Sequence, residues 1–242
     1  MKHQAGRRVQ LHRALSKLGW GSRTLAWDWI RAGQVRVDGQ VVTDPLTWID
    51  LDRQHVSRQG QDHASQARQV LALHKPRGVV TTRQDELGRD TVYDLLPENL
   101  PWLFPVGRLD ADSEGLLLLT NDSQLAVQLT EPEHHVPKTY RITLRGTPDI
   151  PTLQKLRAGI TLADGPTRPV SIQLINPTAA NATVDMVLTE GRNRQIRRMW
   201  SAVGYRVLRL VRTAIGRFTL GDLPTGASRL LNPDEIQRLT LR

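Results

Sequence analysis

The 242-residue chain contains no cysteine. Disulfides, thiol nucleophiles and the common cysteine-containing zinc sites are therefore excluded together. Seven histidines remain, but no His-Glu-x-x-His pattern occurs. His134 and His135 are adjacent, so on a strand they would face opposite ways. No metal site is expected. Long apolar runs are also missing. The longest leucine run, Leu116 to Leu119, is far too short to span a bilayer. The opening MKHQAGRRVQLHR has no apolar core of the kind a secretory signal needs. These absences predict a soluble cytoplasmic protein with no membrane partner.

What is present is positive charge on a chain able to fold. The apolar fraction is 39 %, enough for a packed core, and the net charge is +9. A basic balance of this size suits a polyanion, because Lys and Arg displace counterions from phosphates, although a merely soluble basic surface could carry it too. The distribution favours the polyanion. Residues 1–40 supply +6, from Lys2, Arg7, Arg8, Arg13, Lys17, Arg23, Arg31 and Arg36 against Asp28 and Asp38. Residues 191–217 hold eight arginines and no acid. Two separate basic concentrations predict two nucleic-acid-facing surfaces.

Leu11, Ala14, Leu15 and Leu18 follow the i, i+3, i+4, i+7 spacing of an amphipathic helix, which Gly19 can end. Ser22 is a suitable N-cap for a second helix with Leu25, Ala26, Trp29 and Ile30 on its apolar face, closed by Gly33. Val35 and Val37 then alternate as a strand, and Asp38-Gly39 forms a two-residue hairpin turn before Val41-Val42. Residues 53–69, with five glutamines and almost no apolar periodicity, read as linker. The expected division is residues 1–56, a linker at 57–69, and a second domain at 70–242. In that domain Leu71–His74, Gly115–Thr120, Thr183–Leu188 and Val207–Val211 read as strands, and Tyr140, Ile142 and Leu144 share one face of another. A helix is expected at 193–203 on the stripe Ile196, Met199, Trp200 and Val203, with Gly204 as its stop. The fold class expected is α+β, on a mixed, mostly antiparallel sheet flanked by helices.

The stretch Gly107-Arg108-Leu109-Asp110-Ala111-Asp112-Ser113-Glu114-Gly115 presents acids on a turn between two strands. Functional loops on rigid scaffolds look like this, and so do ordinary acidic turns.

The first fifty residues resemble the S4 RNA-binding domain, in their order of helix, helix and hairpin and in Gly33-Gln34-Val35-Arg36-Val37-Asp38-Gly39. A generic helical DNA-binding or protein-interaction module is the alternative. Gly107 to Asp122, with its Leu-Leu-Leu-Leu-Thr-Asn-Asp ending, resembles the catalytic motif of the small-ribosomal-subunit branch of the pseudouridine synthases. Lys75-Pro76-Arg77-Gly78, Lys138-Thr139-Tyr140, and Glu190 to Met199 with Leu210, Arg212 and Ile215-Gly216 resemble the family's other motifs, in the same order. The resemblance implies isomerisation of a uridine in 16S or 23S ribosomal RNA, within an assembly intermediate and without a cofactor; a monomer is the default expectation for an enzyme that docks on a large RNA.

It also implies residue roles. Asp110 would open the glycosidic bond, as a nucleophile or as a base. Arg197 would pair with it, and Tyr140 would stack on the flipped uracil. Leu210 would line the pocket, Arg108 would touch RNA or brace the loop, and Lys75 would brace the loop. Arg194 and Arg198 would touch phosphate or merely solvate their helix. Cross-strand packing is the other account of Tyr140, and core packing that of Leu210. Asp112 is expected as a turn or cap residue. Arg7, Arg8, Arg13, Lys17, Arg23, Arg31 and Arg36 would contact RNA from the S4-like module. Two rivals remain: a catalytically silent RNA-binding factor, and a glycosidase that would recruit Asp112 or Glu114 as a second carboxylate.

Overall fold

The computed structural model describes residues 8–58, 67–240 and the backbone of 61–62. They divide into two compact units. The first comprises the described residues up to Gln69 with Asn99–Phe104 and Thr120–Ser123; the second holds the rest.

In the first unit, helices α1 (Leu11–Lys17) and α2 (Arg23–Arg31) form where the apolar spacing placed them. The Ser22 hydroxyl accepts the Leu25 amide at 3.0 Å and caps α2. Ala26 and Ile30 are fully buried, whereas Leu25, in the first turn, is 38 % exposed. Strands Val35–Val37 and Gln40–Val41 pair through a turn with φ of 49° at Asp38 and 81° at Gly39. Both values are positive, as a type I′ hairpin requires. The Asp38 carboxylate also accepts the His55 amide at 2.8 Å and the Gln54 side-chain amide at 3.0 Å, which holds its pKa low.

The glutamine-rich stretch differs from expectation. Val56–Arg58 pairs antiparallel with Val35–Val37, and Gln61–Asp62 pairs with Val56–Arg58. The described part of the 57–69 segment thus begins as sheet. Its ladder is made by backbone groups, and only Val56 contributes to the core, so side-chain periodicity could not reveal it.

The second unit is built on a mixed sheet, with strands in the order Ser171–Pro177, Asn181–Leu188, Lys138–Arg145, Val207–Ile215, Glu114–Thr120, Val70–Lys75, Ser228–Leu230. Val207–Ile215 runs parallel to Glu114–Thr120 and antiparallel to Lys138–Arg145. Ala182, Val184, Met186 and Leu188 are buried at every second position, the period of a strand with one covered face. The run Leu116 to Leu119 is buried at every position, as a strand covered on both faces must be. Helix α3 is Ser123–Thr130, and α4 (Ile150–Ala158), capped by Asp149, packs Leu153 and Leu156 into the core cluster that also holds Met199 and Trp200. Those last two lie on α5 (Gln195–Ala202), and α6 (Pro233–Thr240) buries Leu239. No helix of the described residues is long and apolar enough to cross a membrane.

Candidate active site

The loop that carries Asp110 is tied down from several sides. Gly78 donates its amide to the Ala111 carbonyl at 2.7 Å, and the Thr81 hydroxyl donates to the Leu109 carbonyl at 2.8 Å. Ser113 donates its amide to the Asp110 carbonyl at 3.0 Å, closing a turn. Beneath lies Lys75, fully buried, whose ammonium donates to the carbonyls of Ser113 at 2.8 Å and Pro76 at 2.9 Å. Burial pushes this lysine down to about 8, against the opposing pull of Asp110, Asp112 and Glu114. A buried cation bonded to a loop carbonyl fixes the backbone next to Asp110 and does not itself line the cleft.

Gly115 shows why the loop ends in glycine. Its φ is 103°, and a Cβ there would stand 2.3 Å from the Arg212 carbonyl oxygen. The parallel strands meet at this point, with Arg212 opposite Gly115, and no side chain fits between them.

A cleft of about 600 Å³ opens beside the loop. Asp110, Arg108, Tyr140, Leu210 and Arg194 all line it, so five of the eight residues singled out for catalysis or substrate contact come together. The sheet register produces this: Tyr140 lies opposite Arg212 and Ile142 opposite Leu210. Tyr140 is part-buried against the core cluster that contains Leu210, so both sit at the boundary of core and cleft.

The arginines of α5 take partners that differ from expectation. Arg197 does not form its ion pair with Asp110. Its Nε stands 3.3 Å from the Asp112 carboxylate, and its Nη2 donates to the Asp112 carbonyl at 2.8 Å. Arg194 grips the Asp112 carboxylate with both terminal nitrogens, at 3.0 and 2.8 Å, and reaches Asp110 at 3.5 Å. Asp112, expected as a turn residue, is therefore the anchor for both arginines. Its carboxyl is held below the usual range chiefly by Arg194. The cause is local geometry. Arg194 occupies the N-cap of α5 in the left-handed conformation, φ 49°, one helical turn before Arg197, and both side chains reach the same acid. Arg198 points elsewhere, into a bidentate pair with Asp164 at 2.9 Å on each nitrogen. Arg197, Arg198 and Asp112 border a second, open groove of about 1020 Å³, which Arg77, Tyr205 and Arg206 also line.

The remaining motif residues are braced. Glu190 accepts the Gln195 side-chain amide at 2.6 Å and the Arg168 amide at 3.0 Å. Arg192 donates to the carbonyls of Asp164, Gly165 and Pro166. Glu114 is buried and held by Arg209, with Nη2 to Oε2 at 2.7 Å, a partner the spacing gave no means of choosing. The groove residues Arg77 and Arg206 were given no role from sequence; Arg77 stood only within the Lys75-Pro76-Arg77-Gly78 motif, and Arg206 only among the clustered arginines of residues 191–217. In the first unit, Arg8, Arg13, Lys17, Arg23, Arg31 and Arg36 are all exposed. The Arg31 guanidinium lies 5.9 Å from the centre of the Trp27 ring, and Arg36 donates to the Gly39 carbonyl. Arg7 lies outside the described residues.

With this geometry in hand, comparison with known proteins is informative. Residues 69–202 match the RNA pseudouridylate synthase family model, and residues 10–46 match that of the S4 domain. An uncharacterised RNA pseudouridine synthase of Mycobacterium leprae is 42 % identical over 235 residues, which cover 96 % of this chain and 92 % of that one. The ribosomal large subunit pseudouridine synthase B of Bacillus subtilis is 37 % identical over 233 residues, 95 % of either chain. A crystal structure of a pseudouridylate synthase superposes with a TM-score of 0.70 at 29 % identity, covering 96 % of this chain and 99 % of the other.

Proposed function

The chain belongs to the RNA pseudouridylate synthase family, with an S4 domain near its N-terminus, and we propose that it converts one uridine of ribosomal RNA to pseudouridine through Asp110. The observation that carries this reading is the convergence of Asp110, Tyr140 and Leu210 on one cleft. Such a cleft can hold a single nucleotide that has left its stack, with an aromatic ring for the base and a carboxylate for the sugar.

Asp110 acts on the ribose, either by attacking C1′ or by removing a proton from C2′. In both routes the C1′–N1 electron pair leaves with the base. The base rotates and C5 bonds to C1′, which breaks the Asp110–C1′ ester in the first route and returns the proton to C2′ in the second; the C5 proton is then lost to solvent and N1 takes one up. Substrate and product are isomers, so the chemistry calls for no redox carrier and no cofactor. The two carboxylates a glycosidase could recruit are engaged. Asp112 is gripped by Arg194 and Glu114 by Arg209, which lowers the pKa of both and makes them poor bases for water.

The relatives from Bacillus subtilis and Salmonella typhi are named as ribosomal large subunit enzymes, which favours 23S over 16S RNA as the target, presented in an assembly intermediate in the cytoplasm. In this scheme the S4-like module, residues 1–56, grips structured RNA while residues 70–242 carry out the chemistry, and the enzyme acts as a monomer. Incubating each ribosomal RNA with wild type and with Asp110→Asn, then separating the nucleosides of a complete digest, tests the scheme. Pseudouridine from the wild type alone is expected. Free uracil in its place would identify a glycosidase, and binding with neither product would identify a silent RNA-binding factor.

A further inference from the structure

Two cations in the Asp110 cleft have no counter-ion among the described residues. Arg212 is 5 % exposed; its Nε donates to the Leu116 carbonyl at 2.7 Å, but its Nη2 is buried without a partner. Lys138 lies on the next strand. It stands two residues from Tyr140, on the same face by the alternation of a strand, and Tyr140 is paired with Arg212 across a bulge. The Lys138 ammonium makes no hydrogen bond or ion pair among the described residues. Burial pushes it down to about 8 and the Arg212 charge presses it further, with no carboxylate opposing. Both residues line the cleft that Asp110 and Tyr140 enter. Two like charges, one buried and one part-buried, neither in an ion pair among the described residues, are costly to hold together. An anionic ligand seated between them would remove that cost.

The reaction generates such an anion. When the C1′–N1 bond breaks, the base departs with the electron pair and the charge spreads over N1, O2 and O4. A half-turn about the axis through N3 and C6 then exchanges N1 with C5 and, at the same time, O2 with O4. Donors that bind a carbonyl oxygen before the turn therefore meet its counterpart after it. We propose that Lys138 and Arg212 bind the detached uracil anion through its carbonyl oxygens and retain it while it turns. This assignment rests on the uridine isomerisation proposed above. It adds two residues that touch the base to the one that acts on the sugar, and it applies to either route at Asp110. Donors aimed at charge that develops only during the reaction accelerate the chemical step more than they strengthen binding.

The test is single-turnover tritium release from ribosomal RNA labelled at uridine C5, with RNA affinity measured in parallel. Lys138 is the residue to change, because Arg212 also holds the Leu116 carbonyl of a core strand. Lys138→Met should slow the chemical step about 100-fold, the usual effect of removing one such donor, with RNA affinity within about twofold of wild type. Lys138→Arg keeps the charge and should recover most of that loss. It should also change the pH profile. The charged and titratable groups lining the cleft with Lys138 are Tyr140 on its own strand, Arg212 across the pair, Asp110 and Arg108 on the catalytic loop, and Glu190, Arg192 and Arg194 between the strand on its other side and α5. The charged ammonium is the active form, so the wild-type rate should fall as pH rises through about 8, and this limb should vanish in Lys138→Arg. Lys75 also titrates near 8, and a limb that persists in Lys138→Arg would belong to it and overturn the proposal. So would a chemical rate for Lys138→Met within about threefold of wild type, a defect wholly in RNA affinity, or an arginine variant no better than methionine. Should Lys138→Met fail to fold, the pH profile of Lys138→Arg decides alone. An inactive wild type would instead overturn the isomerase reading itself.

Discussion

At the scale of single residues, the tightest constraint lies at Gly115, where an added methyl would stand 2.3 Å from one backbone atom of Arg212 and 2.6 Å from another. Neither neighbour is a flexible side-chain end, so the two parallel strands themselves would have to part. Gly115→Ala should lower stability by about 3 kcal/mol or more, through overlap and through a φ that L-residues avoid. Urea unfolding checks this, and a loss below about 0.5 kcal/mol would show that the strands yield. The residue scale is also where sequence and structure diverge most. The gathering of Asp110, Tyr140 and Leu210 at one cleft was legible because the motifs fix their places on one loop and two strands. The partner of Arg197 was not, because Asp110 and Asp112 lie two residues apart on one loop. Which of them faces α5 depends on how the loop is tied to Gly78, Thr81 and Lys75, and no local pattern encodes those ties.

At the scale of elements, local physics and local sequence agree best in helices. Helices α1 and α2 were legible from apolar spacing, and the Ser22 cap from residue type. Ser22→Ala should cost the first unit about 1 kcal/mol, because the Leu25 amide then has no side-chain acceptor. Thermal melting with a probe in that unit checks the loss, and an unchanged midpoint would mean that solvent replaces the cap without cost. Helix α5 was equally visible from its stripe, but not the left-handed Arg194 that starts it, since arginine carries no preference for that conformation. The strand Val56–Arg58 escaped for the opposite reason. Three residues with one apolar side chain in the core carry too little pattern, and their pairing with Val35–Val37 is a property of two segments rather than one.

At the scale of the whole molecule, charge was the most legible property, and the discontinuity of the units the least. Nothing in the sequence shows that Asn99–Phe104 and Thr120–Ser123 cluster with the first unit, because that grouping arises between distant parts of the chain. The exposed cations of the first unit yield a prediction at this scale. Changing Arg13, Arg23 and Arg31 together to alanine should weaken binding of ribosomal RNA and lower the salt slope of log K by about one unit for each phosphate no longer neutralised. The melting temperature should stay unchanged, since all three side chains are exposed. Titrations at several salt concentrations measure this, and an unaltered slope would place the RNA elsewhere on the protein. The central claim is that Asp110 isomerises a uridine, and its most direct test is tritium release from 23S and 16S RNA labelled at uridine C5, with wild type and Asp110→Asn side by side. Stoichiometric release by the wild type and none by the variant is the predicted result. Equal release by the two proteins, or none by either on RNA they both bind, would contradict it.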